Sequence, residues 1–322
     1  MMTPSKSRFD ENSTAQEVLE GVNMSGKVAV ITGGGGGLGF ETARCLMAAG
    51  ADVIIGGRTP DKIRDAADSL AKTYPDLEVH SFTLDLADLE SVDRFADDVI
   101  ALGRPIDLLI ANAGIMACPL ARTNIGLEMQ FGTNYVGHAL LISRLASSLR
   151  TDSDTRVVCL SSSGHHFSPV TLDDLNFQER DYDKWVAYGQ SKTACALLAR
   201  KVQTDMSDRN VTGLAVHPGV IGTGLMRHLT KDDYVALRKR PDAPDPSSRK
   251  RKNVEQGAAT TVWAASEPSL KGKFAYLEDC QIAQPIEQPN TVSGVLPYAE
   301  DPVTADRLWA ETEELIGRKL PL

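Results

Sequence analysis

A short apolar run rich in β-branched residues, 27–32 (KVAVIT), empties directly into five consecutive glycines, 33–37. These open a segment, 38–49, whose apolar residues fall at helical spacing before Gly50 stops it. Strand, glycine turn and helix in immediate succession are the start of a βαβ unit. The strand is apolar at nearly every position, which suits a strand covered on both faces. The pattern then repeats. Residues 52–57 (DVIIGG) form the next strand. Thr59-Pro60 opens a helix to about residue 74, with a capping side chain followed by proline at the first helical position. Strand-like stretches recur at 77–84, 106–111, 156–161 and 211–217, and helical stretches lie between them near 87–102, 127–149 and 184–206. This alternation predicts an α/β fold, a doubly wound parallel sheet with right-handed crossovers. No break in composition divides the repeats, so a single domain over 26–322 is expected.

Two segments fall outside the pattern. Residues 1–25 are polar and are expected to form an arm, in part without fixed structure; within it Thr14-Ala15-Gln16-Glu17 is a capping box opening a short helix. Residues 222–252, rich in proline and charge, interrupt the alternation just after the sixth strand. Ligands of open α/β sheets sit beyond the C-terminal ends of strands, so this insertion is placed to be a substrate lid. The alternative is a solvated surface excursion. With 34 basic against 43 acidic residues the chain carries −9, which excludes general nucleic-acid affinity. No apolar run approaches the about 20 residues that span a bilayer, so no membrane anchor is expected. The first residues lack the apolar stretch of a secretory signal. Five widely spaced cysteines, without C-x-x-C or H-E-x-x-H, give neither a disulfide framework nor a zinc site. The expectation is a reduced, cytoplasmic protein that holds no metal.

Glycines let a backbone turn tightly and approach a pyrophosphate, and the helix that follows offers free N–H groups and a partial positive charge. The strand–turn–helix context therefore points to dinucleotide binding. Two registers fit: Gly34, Gly36 and Gly39 match G-x-G-x-x-G, while Gly33, Gly37 and Gly39, with Leu38 between, match T-G-x-x-x-G-x-G. An acid about 20 residues past the glycines would bind the ribose 2′-hydroxyl of NAD. Here that place holds Arg58, whose guanidinium suits a 2′-phosphate. NADP(H) is expected over NAD(H). Asp85-Leu86 would bracket the adenine, and Asn112-Ala113-Gly114 would lie along the ribose. Further on, Tyr188 and Lys192 stand four residues apart and share a helix face. A phenol alone is a poor acid–base catalyst near neutrality, and a neighbouring ammonium favours its ionised form.

The order of parts adds specificity. T-G-G-G-G-G-L-G, Asn112-Ala113-Gly114, Asn134-Tyr135-Val136-Gly137, Leu160-Ser161-Ser162, Tyr188-Gly189-Gln190-Ser191-Lys192 and Pro218-Gly219 together resemble the short-chain dehydrogenase/reductase family over residues 26–320. The resemblance implies a Rossmann-like fold and reversible pro-S hydride transfer between nicotinamide and an alcohol or carbonyl carbon. It implies Tyr188 as general acid/base and Lys192 on the nicotinamide ribose. Ser162 would bond the substrate oxygen, with Ser163 directly behind it. Asn134 would support a water-mediated proton relay, and Pro218, Gly219 and Thr223 would flank the nicotinamide carboxamide. It also implies pairing through the helices after the fourth and fifth strands, as a homodimer or homotetramer. Ala111 stands where many members carry an additional Asn. Ile115-Met116, His165-His166, Gln256-Gly257-Ala258-Ala259-Thr260 and Tyr276-Leu277-Glu278-Asp279-Cys280 look like the retinol-dehydrogenase and WW-domain-oxidoreductase-like branch, which handles lipophilic alcohols and carbonyls. Two rival readings are a cofactor-binding regulatory protein without turnover, and an epimerase or dehydratase that recycles a tightly held nicotinamide.

Overall fold

Along β1 (Val28–Thr32) alternate side chains serve opposite faces of the sheet. Val28 and Val30 join one apolar cluster, which includes Phe95 and Leu140; Ala29 and Ile31 join a second, which includes Leu46 and Leu70. Both faces are therefore dry, as the unbroken apolar runs require. The computed structural model describes residues 7–222, 229, 230, 233, 235, 251–288 and 293–322.

The remaining strands are β2 (Asp52–Gly57), β3 (Val79–Thr83), β4 (Leu108–Ala111), β5 (Thr155–Leu160), β6 (Val211–His217), β9 (Ala275–Glu278) and β10 (Gln281–Ile282). They lie in the order β10-β9-β6-β5-β4-β1-β2-β3, parallel except for β10 against β9. This is the predicted α/β class, a Rossmann-like sheet. The order reverses between β1 and β4, which opens a crevice beyond their C-terminal ends. A separate parallel ladder joins β7 (Val220–Ile221) to β8 (Arg251–Lys252), the two ends of the insertion.

On one face lie α4 (Leu89–Ala101), α6 (Gly137–Leu145), α7 (Lys184–Met206) and α9 (Pro302–Ile316). On the other lie α1 (Ala15–Val18), α2 (Gly37–Ala48), α3 (Pro60–Thr73) and α8 (Val254–Ser266). The helix expected over 127–149 is interrupted. A short α5 (Met129–Phe131) leads into a π turn, Gly132–Val136, in which the Gly137 N–H reaches back to the Gly132 carbonyl. Gly137 is forced by proximity: a Cβ there would lie 2.3 Å from the Leu86 carbonyl oxygen.

Residues 7–24 differ from the expected loose arm. Ala15, Val18, Leu19 and Met24 are buried, and the Thr14–Glu17 capping box is formed. The Gln281 amide accepts from the Ser7 N–H and donates to the Ser7 and Phe9 carbonyls; Gln256 donates to the Asn12 carbonyl. The C-terminal segment covers α6 and α7. Tyr135 and Thr312 share a hydrogen bond of 3.0 Å, Ser143 donates to the Pro321 carbonyl, and Leu308 and Leu320 are buried. The faces through which the resemblance implies subunit pairing are thus occupied by this chain itself. Most of 222–252, including Thr223, lies outside the described residues; Asp233 within it pairs with Lys184 at the start of α7. Among the described residues no helix is long and apolar enough to cross a membrane, and no cluster of acidic, His or Cys side chains has metal-binding geometry.

Candidate active site

The glycine turn is shaped by three positions. Gly33 and Gly37 have φ of +73° and +55°, which side-chain-bearing residues rarely adopt. At Gly39 a Cβ would lie 2.5 Å from the Gly33 carbonyl oxygen. The positive φ angles of Gly33 and Gly37 favour the T-G-x-x-x-G-x-G register; Gly39 is common to both registers, and Gly34 is required for a different reason, since a Cβ there would lie 2.6 Å from the Ile55 side chain. No side chain caps α2, and a Cβ at Gly36 would meet nothing within 4 Å. The first-turn N–H groups and this bare backbone form a cradle that fits the pyrophosphate of a dinucleotide. Leu38, half-buried, leans on Gly257 of α8.

At one edge of the cradle, the Gly56 carbonyl takes the Gly33 and Gly34 N–H groups, and Arg58 follows, exposed, at the end of β2. The Asp85 carboxylate is turned into its own loop, accepting from the Ala87 N–H at 3.0 Å, and Leu86 is buried beneath Gly137.

At the crevice Thr32 links the ends of β1 and β4. Its Oγ1 accepts from the Asn112 and Ala113 N–H groups, both at 2.9 Å, and its carbonyl accepts from Asn112 Nδ2 at 2.7 Å. With both lone pairs of Oγ1 occupied, its hydrogen goes to His138 Nε2, 2.8 Å away. The His138 proton then sits on Nδ1 and is donated to the Asn134 carbonyl at 2.8 Å. Burial pushes the His138 pKa down to about 4, so the ring is neutral. Asn134 lies in the π turn. Its amide accepts from the Ile115 N–H and donates to the Ile115 carbonyl and Ser191 Oγ, all within 2.9 Å, which fixes the loop after β4.

Tyr188 and Lys192 occupy one face of α7. The Lys192 ammonium is 5.9 Å from the Tyr188 ring centroid and donates to the Leu160 carbonyl at the end of β5. A Cβ on Gly114 would lie 3.5 Å from that ammonium and 3.1 Å from Asn134 Oδ1, so β4, the π turn and α7 converge there. Tyr188 is buried, and no described residue hydrogen-bonds its hydroxyl.

The three serines after β5 have distinct roles. Ser161 Oγ donates to the Lys192 carbonyl. Ser162 Oγ accepts from the Gly164 N–H at 3.0 Å, leaving its own hydrogen without an acceptor among the described residues. Ser163 is buried, and its N–H goes to His217 Nδ1. The same nitrogen accepts from the Gly219 N–H beyond Pro218, tying the serine turn to the end of β6. A Cβ on Gly164 would lie 2.5 Å from a Tyr188 ring carbon, so the serine turn is pressed against that ring.

The structure thus gathers Asn112, Ala113, Gly114, Asn134, Ser162, Tyr188 and Lys192 at the crevice. The glycine turn stands on one side and Pro218-Gly219 on another; Arg58 is at the far edge. The sequence does not single out His138 or His217, carries Thr32 only as the first letter of the glycine motif, and presents His165 and Tyr276 only as separate parts of the branch resemblance. Their partners are remote in sequence, and only the position of Thr32 beside the glycines was a usable signal.

Three comparisons bear on identity. The family model for short chain dehydrogenases matches residues 27–234. A Penicillium rubens short-chain dehydrogenase/reductase, prx1, is 37% identical over 93% of this chain and 89% of its own length. The human WW domain-containing oxidoreductase is 33% identical over 98% of this chain and 74% of its own length. An uncharacterised protein of Mycobacterium paratuberculosis superposes with a TM-score of 0.71 at 33% identity, covering 97% of this chain and all of its own. With its cradle, crevice and tyrosine–lysine face, the chain belongs to the short-chain dehydrogenase/reductase family of nicotinamide-dependent oxidoreductases.

Proposed function

We propose that the chain catalyses reversible hydride transfer between NADP(H) and the alcohol or carbonyl carbon of a small lipophilic substrate. The observation that carries this reading is the face of α7, where the Lys192 ammonium lies 5.9 Å from the Tyr188 ring and the Ser162 turn is pressed against that ring. The bound nicotinamide supplies or accepts the hydride. Tyr188 gives its phenolic proton to the substrate oxygen in reduction and takes it back in oxidation. The Lys192 ammonium stands on the same helix face, 5.9 Å from the Tyr188 ring centroid. Ser162, whose Oγ already accepts from Gly164, donates its hydrogen to the same substrate oxygen. Asn134 and the Thr32–His138 chain hold the crevice between β4 and α7.

The NADP(H) preference rests on Arg58, which offers a guanidinium to a 2′-phosphate where NAD would be met by a carboxylate. The lipophilic substrate rests on the branch resemblance and on Ile115 and Met116, half-buried apolar residues in the loop that Asn134 fixes.

Tyr188→Phe should retain NADPH binding and lose ~10²–10⁴-fold in kcat against a panel of lipophilic ketones. Normal turnover in that variant rejects the mechanism. Wild-type protein that binds NADPH and turns over nothing in the panel would instead be a regulatory binder. Purified protein that carries nicotinamide and consumes none would be an epimerase or dehydratase.

A further inference from the structure

The carbonyl of Ser162 is held by three donors. The His165 N–H reaches it at 3.0 Å, His165 Nδ1 at 2.7 Å and the Tyr276 hydroxyl at 3.0 Å. The protonation of the ring follows from its other contact. The Leu296 N–H donates to His165 Nε2 at 3.3 Å, so Nε2 is the acceptor and the single ring proton sits on Nδ1. His165 has no exposed surface, and burial, with His166 beside it, keeps the ring neutral. The Tyr276 oxygen lies 3.1 Å from Nδ1, so it takes a share of that proton, while its own hydrogen faces both the Ser162 carbonyl at 3.0 Å and Ser161 Oγ at 3.3 Å. Tyr298 completes the clamp by donating to the His165 carbonyl at 2.7 Å.

We propose that His165 and Tyr276 are positioning residues that act through Ser162. They fasten the peptide between Ser162 and Ser163 to β9 and to the segment carrying Leu296 and Tyr298. The peptide's other side is pressed on the Tyr188 ring through Gly164. Held from both sides, Ser162 keeps its Oγ on the Gly164 N–H and its hydroxyl hydrogen directed at the substrate oxygen. Among the described residues neither clamp side chain hydrogen-bonds Ser162 Oγ or the Tyr188 hydroxyl. The sequence presents His165 and Tyr276 as separate features 111 residues apart; the clamp exists only in the fold.

The inference rests on the catalytic reading of Ser162, and a double-mutant cycle separates the two. Tyr276→Phe removes the hydroxyl and keeps the ring. Its kcat for ketone reduction should fall about tenfold with NADPH affinity unchanged, and in a Ser162→Ala background the same change should alter kcat less than about twofold. An equal fold-loss in both backgrounds, or none in the single variant, overturns the clamp. Ser162→Ala with unaltered kcat overturns the catalytic reading instead. Independently of activity, nitrogen NMR of the histidine rings should find His165 neutral with its proton on Nδ1 from pH 5 to 9; a proton on Nε2 refutes the assignment.

Discussion

Glu278 is 9% exposed at the end of β9, and burial pushes its pKa up to about 7. Asp279 adds to the effect, while the Gly294 N–H and the Lys252 ammonium oppose it, and His217 lies beside it in the ladder. A folded-state pKa above the usual carboxylate range means the native protein binds this proton more tightly than the unfolded chain. The stabilisation is complete below about pH 4.5 and is lost as pH rises to 7, an effect on the order of 3 kcal/mol. Glu278→Gln keeps an acceptor for Gly294, so the variant's melting temperature should fall less than that of the wild type between pH 5 and 7.5. Parallel melting curves in the two proteins refute this. Arg58 governs a different choice: Arg58→Asp should shift preference toward NADH, and an unchanged ratio of kcat/KM values counts against the 2′-phosphate contact. Legibility at this scale follows sequence distance. Tyr188 and Lys192 are visible because four residues on a helix means one face. His165, whose partners Tyr276 and Leu296 come from more than a hundred residues away, cannot be told from a solvated loop histidine in the sequence.

The strands and helices were legible because their cores are apolar and their ends carry caps, glycines and prolines. β2, β6 and α7 coincide with the expected ranges, and β1, β3, β4, β5, α2, α3 and α4 differ at their ends by only a few residues, whereas β7 to β10, α8 and α9, all beyond residue 219, were not expected as elements. The π turn was not legible, since nothing in its residues distinguishes it from ordinary helix; it answers to the Leu86 loop beneath Gly137. Gly213, in the middle of β6, has a similar origin. A Cβ there would lie 2.1 Å from the Ala199 carbonyl oxygen of α7, so the helix rests directly on the strand's backbone. Gly213→Ala should destabilise the fold by about 1–3 kcal/mol, read as a lower urea midpoint with unchanged slope. An unchanged midpoint would show that α7 can lift away at no cost.

For the whole molecule, α9 and the C-terminal residues change what the resemblance implies about assembly. Pairing across α6 and α7 would require displacing Leu308 and Leu320 from their buried seats and breaking the Tyr135–Thr312 and Ser143–Pro321 bonds. Exposed large apolar residues such as Ile100, Val303 and Leu315 are not concentrated on those helices. Light scattering on the eluting protein should give the 34.7 kDa of one chain. A mass twice that value would locate a contact on some other face.

The bond between Ser7 and Gln281 joins residues 274 positions apart. During synthesis the leading segment therefore emerges long before its seat exists; α1 can pack on α2 and α8 once these are made, but the Ser7 end can be tied down only after the last strand of the sheet has left the ribosome. Its resistance to proteolysis thus becomes a clock for completed folding: a nascent chain cut short of Gln281 should be trimmed at its front, while the finished one is spared.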